Sequence, residues 1–195
     1  MAEQLRLFVA CELPDEVRGA LGRVQDDLRR LGADRLRWVR PEGIHITMKF
    51  LGAVEAERVG EIEGALTAAV QPFEHRLGFE KLGNFGGNRA RVLWIGLDGD
   101  VKGLTELAGR IDAALEPLGF PRERRPFAAH VTLARVPDEV PASVRRTLPD
   151  VLARYQPLPL PPLVLSEVAL MRSILGPGGS RYERLASFPR PDPGS

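Results

Sequence analysis

Two rhythms of apolar residues run along the chain. Leu5–Leu13 is an apolar, β-prone run closed by Pro14-Asp15, a helix-start signal. Val17, Leu21, Val24, Leu28 and Leu31 then recur at helical spacing up to Gly32. Short extended segments are expected at Trp38–Arg40 and His45–Leu51, on either side of a Pro41-Glu42-Gly43 turn. A second helix carries Val59, Ile62, Leu66 and Val70 on one face and stops before Pro72. Strands follow at Phe79–Leu82 and Arg91–Leu97, separated by a glycine-rich turn at Gly83–Asn88. A third helix aligns Val101, Leu104, Leu107, Ile111 and Leu115 ahead of the Gly119/Pro121 break. His130–Val136 reads as extended, and a fourth, weaker helix falls within Ala142–Tyr155. Two last strands, Leu163–Met171 and Arg181–Ala186, bracket a flexible Gly176–Ser180 loop, and Pro189–Ser195 is a Pro-rich tail expected to be disordered.

Several of these strands are joined by loops too short for a parallel crossover. The expected class is therefore α+β, antiparallel sheets with helices on their outer faces. At 195 residues the length suits one domain or two small lobes sharing a core. The balance of 27 Lys+Arg against 26 Asp+Glu argues against a protein that grips duplex nucleic acid mainly by charge. Arginine outnumbers lysine 24 to 3, but Asn is scarce too while Ala, Leu, Gly and Pro abound. That skew reads as codon bias, so the total says little and only individual positions count. No apolar run approaches the ~20 residues of a membrane helix. Glu3, Arg6 and Glu12 interrupt any secretory pattern at the start. Cys11 is the single cysteine, which excludes an intramolecular disulfide and a cysteine-rich zinc site; it is expected to be a buried thiol. A cytoplasmic location is the expectation.

The informative feature is a repeat. His45-Ile46-Thr47-Met48 returns 85 residues later as His130-Val131-Thr132-Leu133, using two of the three histidines. In a strand, His45 and Thr47 share one face while Ile46 and Met48 share the other, and the same parity joins His130 to Thr132. One His-x-Thr alone is a common strand pattern; two matched copies are not. A pseudo-twofold relation between the halves would bring both pairs to one cleft. His75 has no such context and is assigned to the surface.

Two imidazoles with an unperturbed pKa of ~6.5 let one ring take a proton while the other gives one. Threonine hydroxyls donate to an anion's oxygens without adding charge. A phosphodiester suits this set, and a strained 2′,3′-cyclic phosphate suits it best. Zinc is the other common use of histidine, but two strand histidines without a carboxylate at ligand spacing make a poor site. Gly83–Asn88 lacks the Lys-Ser/Thr of a nucleotide-binding phosphate loop. Lys49 shares parity with His45 and Thr47 and would extend the positive edge.

These residues resemble the 2H phosphoesterase superfamily, and within it the RNA 2′,3′-cyclic phosphodiesterases known historically as 2′-5′ RNA ligases. The likeness runs from Arg6-Leu7-Phe8-Val9-Ala10 and Leu13-Pro14 through Trp38-Val39, His45–Gly52 and Pro126-Phe127 to His130–Arg135. It ends in the Ser173…Tyr182…Leu185…Phe188 pattern. Ala129 departs from it, since the family usually has Pro before the second His.

The resemblance implies one bilobal domain over residues 1–188, two antiparallel sheets flanked by helices around a central groove, with 189–195 as the tail. It implies His45 as proton donor and His130 as proton acceptor; the residues alone do not order the two. It also implies Thr47, Thr132 and Arg135 at the phosphate; Phe8 is a candidate ring to stack on a base, as single-stranded RNA ends favour. Strict alternation would set Arg135 opposite His130, so the strand must end or twist by then; Phe8 also reads as plain core. The implied substrate is RNA with a 2′,3′-cyclic phosphate end, tRNA fragments included, with no cofactor, metal or membrane, acted on by a monomer. Reverse 2′-5′ ligation is the related reaction. The same site could instead serve a cyclic ADP-ribose phosphate or a 2′-5′ oligonucleotide, or persist in a non-catalytic RNA-end binding module. Intact His and Thr in both motifs argue against the last.

Overall fold

Strand β1 (Gln4–Glu12) turns Leu5, Leu7, Val9 and Cys11 into the main core and Phe8 and Ala10 to its other side, as a period of two requires. The structure, a computed structural model, describes residues 3–155, 159–176 and 179–190. Helix α1 (Asp15–Leu28) opens on Asp15 and Glu16, which suit the positive end of its dipole, and buries Val17, Ala20, Leu21, Val24 and Leu28. Its last turn widens into a π segment, Arg29–Ala33, where Gly32 takes φ 108°. That widening takes Leu31 off the apolar stripe and leaves it exposed, contrary to its helical spacing.

The chain continues through β2 (Arg37–Trp38), a 3-10 turn at Pro41–Gly43, β3 (His45–Glu55), α2 (Val59–Ala69), β4 (His75–Phe85) and β5 (Val92–Gly99). Then come α3 (Val101–Leu115), β6 (His130–Arg135), α4 (Ala142–Arg154), β7 (Leu163–Leu165), β8 (Val168–Gly176) and β9 (Gly179–Phe188). The strands form two antiparallel sheets, ordered β3-β1-β8-β9 and β2-β6-β5-β4-β7. The expected α+β class therefore holds. Helices α2 and α3 pack on each other, α3 lies against β3 and β4, and α4 lies against β4.

The run expected as one strand over Leu163–Met171 is two. β7 joins β4 in the five-stranded sheet and β8 joins β1 in the four-stranded one. The polar pair Ser166-Glu167 marks the change of sheet. β4 runs on to Phe85, so the expected glycine-rich turn shrinks to the segment around Gly86 and Gly87, both at positive φ. Gly176 pairs with Gly179 at the end of the β8–β9 hairpin. Positions 177 and 178 of the loop expected there lie outside the described residues. Of the expected tail, Arg190 forms an ion pair with Glu63 of α2, and positions 191–195 lie outside the described residues.

His75 is a correction. It begins β4, opposite Leu165 of β7, and is buried rather than on the surface. Its Nδ1 lies 2.6 Å from Asp100 Oδ2, and Asp100 in turn caps α3 by accepting the Gly103 N–H at 3.0 Å. Among the described residues, no helix is long and apolar enough to cross a membrane.

Candidate active site

In β3, His45 and Thr47 are half-buried while Ile46 and Met48 are buried, the parity expected from the motif. The alternation then breaks. Thr47 stands opposite Ala10 and Lys49 opposite Val9, so Met48 is an extra residue, a β-bulge. Past it, Lys49 turns to the core side with Val9, and Phe50 stands opposite Phe8 on the histidine side. Lys49 is therefore no part of a positive edge. It is buried, and its ammonium pairs with Asp112 of α3 and donates to the Pro121 carbonyl at 2.9 Å.

Strand β6 repeats the device. Thr132 stands opposite Trp94 and Ala134 opposite Leu93, which makes Leu133 the extra residue. Ala134 and Leu93 are buried in the core, and Arg135, opposite Val92, returns to the face of His130 and Thr132. The bulge brings Arg135 round where strict alternation would have hidden it. Its carbonyl is held from two sides: Leu133 O accepts from Val39 N at 2.9 Å and from the Gln25 side-chain amide at 3.0 Å. The same amide donates to Val39 O at 2.8 Å, so a buried side chain of α1 ties β2 to the bulge.

Each imidazole is fixed in the same way. His45 Nδ1 lies 2.8 Å from the Gly43 carbonyl and His130 Nδ1 lies 2.6 Å from the Ala128 carbonyl, each two residues earlier. A carbonyl only accepts, so both Nδ1 atoms carry hydrogen and each Nε2 is left to accept a proton or, once protonated, to give it. Each ring also has an aromatic wall. Phe8 lies 4.9 Å from His45 and Tyr182 meets it edge-on at 5.1 Å; Phe85 meets His130 edge-on at 5.0 Å with Trp94 at 6.2 Å. Gly43 lies under the Tyr182 ring, which an added Cβ would approach to 3.1 Å.

Burial pushes the His45 pKa down, and the field of Arg135 pushes the same way. The Gly43 bond and Glu12, opposite His45 in the ladder, act against them. Glu12 is itself paired with Arg184 at 2.5 Å. The effect of Arg135 on His45 couples the second motif's strand to the first motif's histidine, and β3 and β6 approach each other where the two sheets meet.

Phe8 lies in this group, but behind His45. Its ring is only 3% exposed, so the surfaces it touches are His45, Tyr182 and Phe50. The exposed ring on that face is Phe50, at 63%. Phe50 and Arg135 occupy the same offset from their histidines, one past each bulge. Arg135 was expected at the site; Phe50, at the same offset in the first motif, was not, and that offset is the signal for it. Gln25 and Glu12 gave no such signal, because they reach the site from other elements, and Tyr182 was marked only as part of the C-terminal resemblance, with no role. Among the described residues, no group of three or more His, Cys, Asp or Glu side chains is arranged to hold a metal ion.

Two imidazoles tethered at Nδ1, two hydroxyls and an exposed guanidinium are groups that acid–base chemistry on an anionic ester would use. The chain belongs to the LigT-like phosphoesterase family, which matches it over residues 12–94 and again over 95–182, one His-x-Thr motif in each. It is 33% identical to the RNA 2′,3′-cyclic phosphodiesterase of Archaeoglobus fulgidus over 186 residues, 94% of this chain and 99% of that protein. The enzyme of the same name from Methanocaldococcus jannaschii is 31% identical over 92% of this chain and 97% of its own length. The crystal structure of Escherichia coli LigT complexed with 3′-AMP aligns with a TM-score of 0.75 at 25% identity, covering 95% of this chain and 98% of that one.

Proposed function

We propose that the protein hydrolyses RNA ends bearing a 2′,3′-cyclic phosphate to 2′-phosphomonoesters, using its two motif histidines as acid and base and no cofactor. The observation that carries the reading is the matched tethering of both Nδ1 atoms to carbonyls two residues back. It leaves the Nε2 of one histidine in each sheet free to exchange a proton.

His130 Nε2 takes a proton from water, whose oxygen bonds to phosphorus as the P–O3′ bond breaks in line. His45 Nε2–H delivers its proton to the departing O3′. Thr47 and Thr132 donate to the non-bridging oxygens, and the Arg135 guanidinium, which forms no ion pair among the described residues, meets their charge. Burial lowers the His45 pKa, which favours release of its proton, and a bound phosphate anion acts in the opposite direction, which favours the charged ring before the proton is given. Phe8 holds the His45 ring while the exposed Phe50 offers its face to the terminal base. A 5′-hydroxyl in place of water would give the 2′-5′ joined product with the same acid and base. The acting unit is one copy of the chain, residues 1–188 as a bilobal whole, working in the cytoplasm on RNA ends that include tRNA fragments.

The test is hydrolysis, after treatment with EDTA, of an RNA ending in a 2′,3′-cyclic phosphate. The expected product carries a 2′-phosphate and a free 3′-hydroxyl. A 3′-phosphate product, or activity lost to the chelator and restored by a divalent ion, would overturn the reading.

A further inference from the structure

The edge strand β2 puts one more arginine on the His130 face of the five-stranded sheet. Arg37 stands directly opposite Arg135, and Trp38 opposite Ala134. Directly opposed residues of an antiparallel ladder project to the same side, ~4.5–5.5 Å apart at Cβ. Trp38 packs on the core side with Ala134, its indole donating to the Ala33 carbonyl at 3.1 Å. Arg37 therefore shares the side of Arg135, Thr132 and His130.

Like charges directly opposite each other destabilise a sheet, and this chain neutralises many of its other arginines. Arg18, Arg58, Arg145, Arg172 and Arg184 each lie within 4.0 Å of a carboxylate. Arg35, Arg37 and Arg135 form no such pair among the described residues. Beside Arg37 is a surface depression of about 320 Å³, lined as well by Arg35 and by Glu139, whose carboxylate pairs with neither. An opposed arginine pair left without a counter-charge, one member at the reacting phosphate and the other one strand (~4.8 Å) further out, suits a ligand with two successive anions. A polynucleotide end has them; a cyclic mononucleotide does not.

We propose that Arg37, with Arg35 beside it, forms a subsite for the phosphodiester immediately upstream of the cyclic phosphate, so that the chain favours RNA ends over cyclic mononucleotides. The inference rests on the function proposed above and deepens it. The guanidinium fork binds a non-bridging oxygen pair of that phosphate, while the chemistry stays one strand away at Arg135 and the histidines.

The experiment compares kcat/KM for a 2′,3′-cyclic mononucleotide and for a tetranucleotide ending in the same cyclic phosphate, in wild type, Arg37→Ala and Arg37→Lys. The ratio of tetranucleotide to mononucleotide should fall roughly fivefold in Arg37→Ala, the scale of one exposed charge-assisted contact. Arg37→Lys, which keeps a point charge without the fork, should recover part of it. An unchanged ratio, or an equal loss on both substrates, would overturn the subsite. A second arm measures binding of an unreactive tetranucleotide with a 3′-terminal phosphate over a range of salt. Arg37→Ala should weaken it by a similar factor and lower the slope of log K against log salt by ~0.7, one single-strand phosphate contact; no change in affinity or slope would overturn the subsite. If wild type hydrolyses neither substrate while this arm responds as expected, the proposed function fails and the anion subsite stands. If both substrates turn over with an unchanged ratio, the reverse holds.

Discussion

Replacing Gln25 by leucine should damage the active site from a distance. The side chain is 1% exposed, and its amide serves the carbonyls of Val39 and Leu133 at 2.8 and 3.0 Å. Leucine fills a similar volume, so the loss is polar rather than a cavity. Leu133 O keeps its bond from Val39 N at 2.9 Å, which softens one of the two deficits. Depriving a buried acceptor costs about 1–3 kcal/mol, so one full and one partial loss come to ~2–3 kcal/mol. For a chain of this size that corresponds to a fall in Tm of ~4–12 °C. The kinetic effect is separate. Leu133 is the bulged residue between Thr132 and Arg135, and a group misplaced by ~1 Å can cost up to ~100-fold. kcat/KM on an RNA 2′,3′-cyclic phosphate should fall ~10–100-fold at a temperature where the variant is still folded. Thermal melts by circular dichroism and steady-state kinetics in one buffer read both effects. Leu148→Ala, a core truncation in α4 away from the bulge, is the control that should lose stability without the kinetic loss. A Gln25→Leu protein that melts lower yet keeps full kcat/KM would refute the idea that this amide holds the bulge.

Lys49→Ala should behave in the opposite way, destabilising by ~3 kcal/mol because it strands Asp112 and Pro121 O, with little change in KM. Denaturant titration and kinetics of the folded variant decide, and a raised KM with unaltered stability would return Lys49 to the groove. The pH dependence follows from His45. As the proposed acid it must be charged in the free enzyme, and burial lowers its pKa, so the alkaline limb of kcat/KM should lie below the ordinary histidine value of ~6.5. Arg135→Ala removes one cause of that shift and should move the limb upward while lowering the rate. A limb that stays in place, with a His45 titration unmoved in NMR, would contradict the coupling. Cys11, whose thiol burial pushes up to about 12, should stay unalkylated in the native protein at neutral pH; rapid modification would mean that β1 opens.

Period-two patterning was enough to orient His45, Thr47, His130 and Thr132, because a half-buried strand writes its register into the order of its side chains, and the short loops between strands were enough to assign the α+β class. It was misleading one residue past each motif. A bulge adds a residue without any mark in composition, and what stabilises the one in β6 is Gln25, 108 positions away in sequence. Lys49 leaves the expected positive edge for that reason, and Arg135 needs its strand to end or twist, which the bulge at Leu133 supplies. The Lys49–Asp112 pair spans 63 residues, so nothing near Lys49 announces its partner. His75 lies outside the strand expected at Phe79–Leu82; β4 starts four residues earlier, and its buried face begins with His75 and Leu77. β7 and β8 read as one strand because two polar residues suffice to carry the chain from one sheet to the other.

In the proposed mechanism the two histidines divide the work, one giving a proton to O3′ and the other taking one from water. The most direct measurement compares an ordinary RNA 2′,3′-cyclic phosphate with an analogue carrying an unusually good leaving group at O3′, in His45→Ala and His130→Ala. Each variant should lose ~10²–10⁴ in kcat on the ordinary substrate. The analogue needs little protonation, so it should restore His45→Ala and leave His130→Ala slow. Rescue of His130→Ala instead would reverse the roles, and rescue of neither would make His45 a binder of charge rather than the acid.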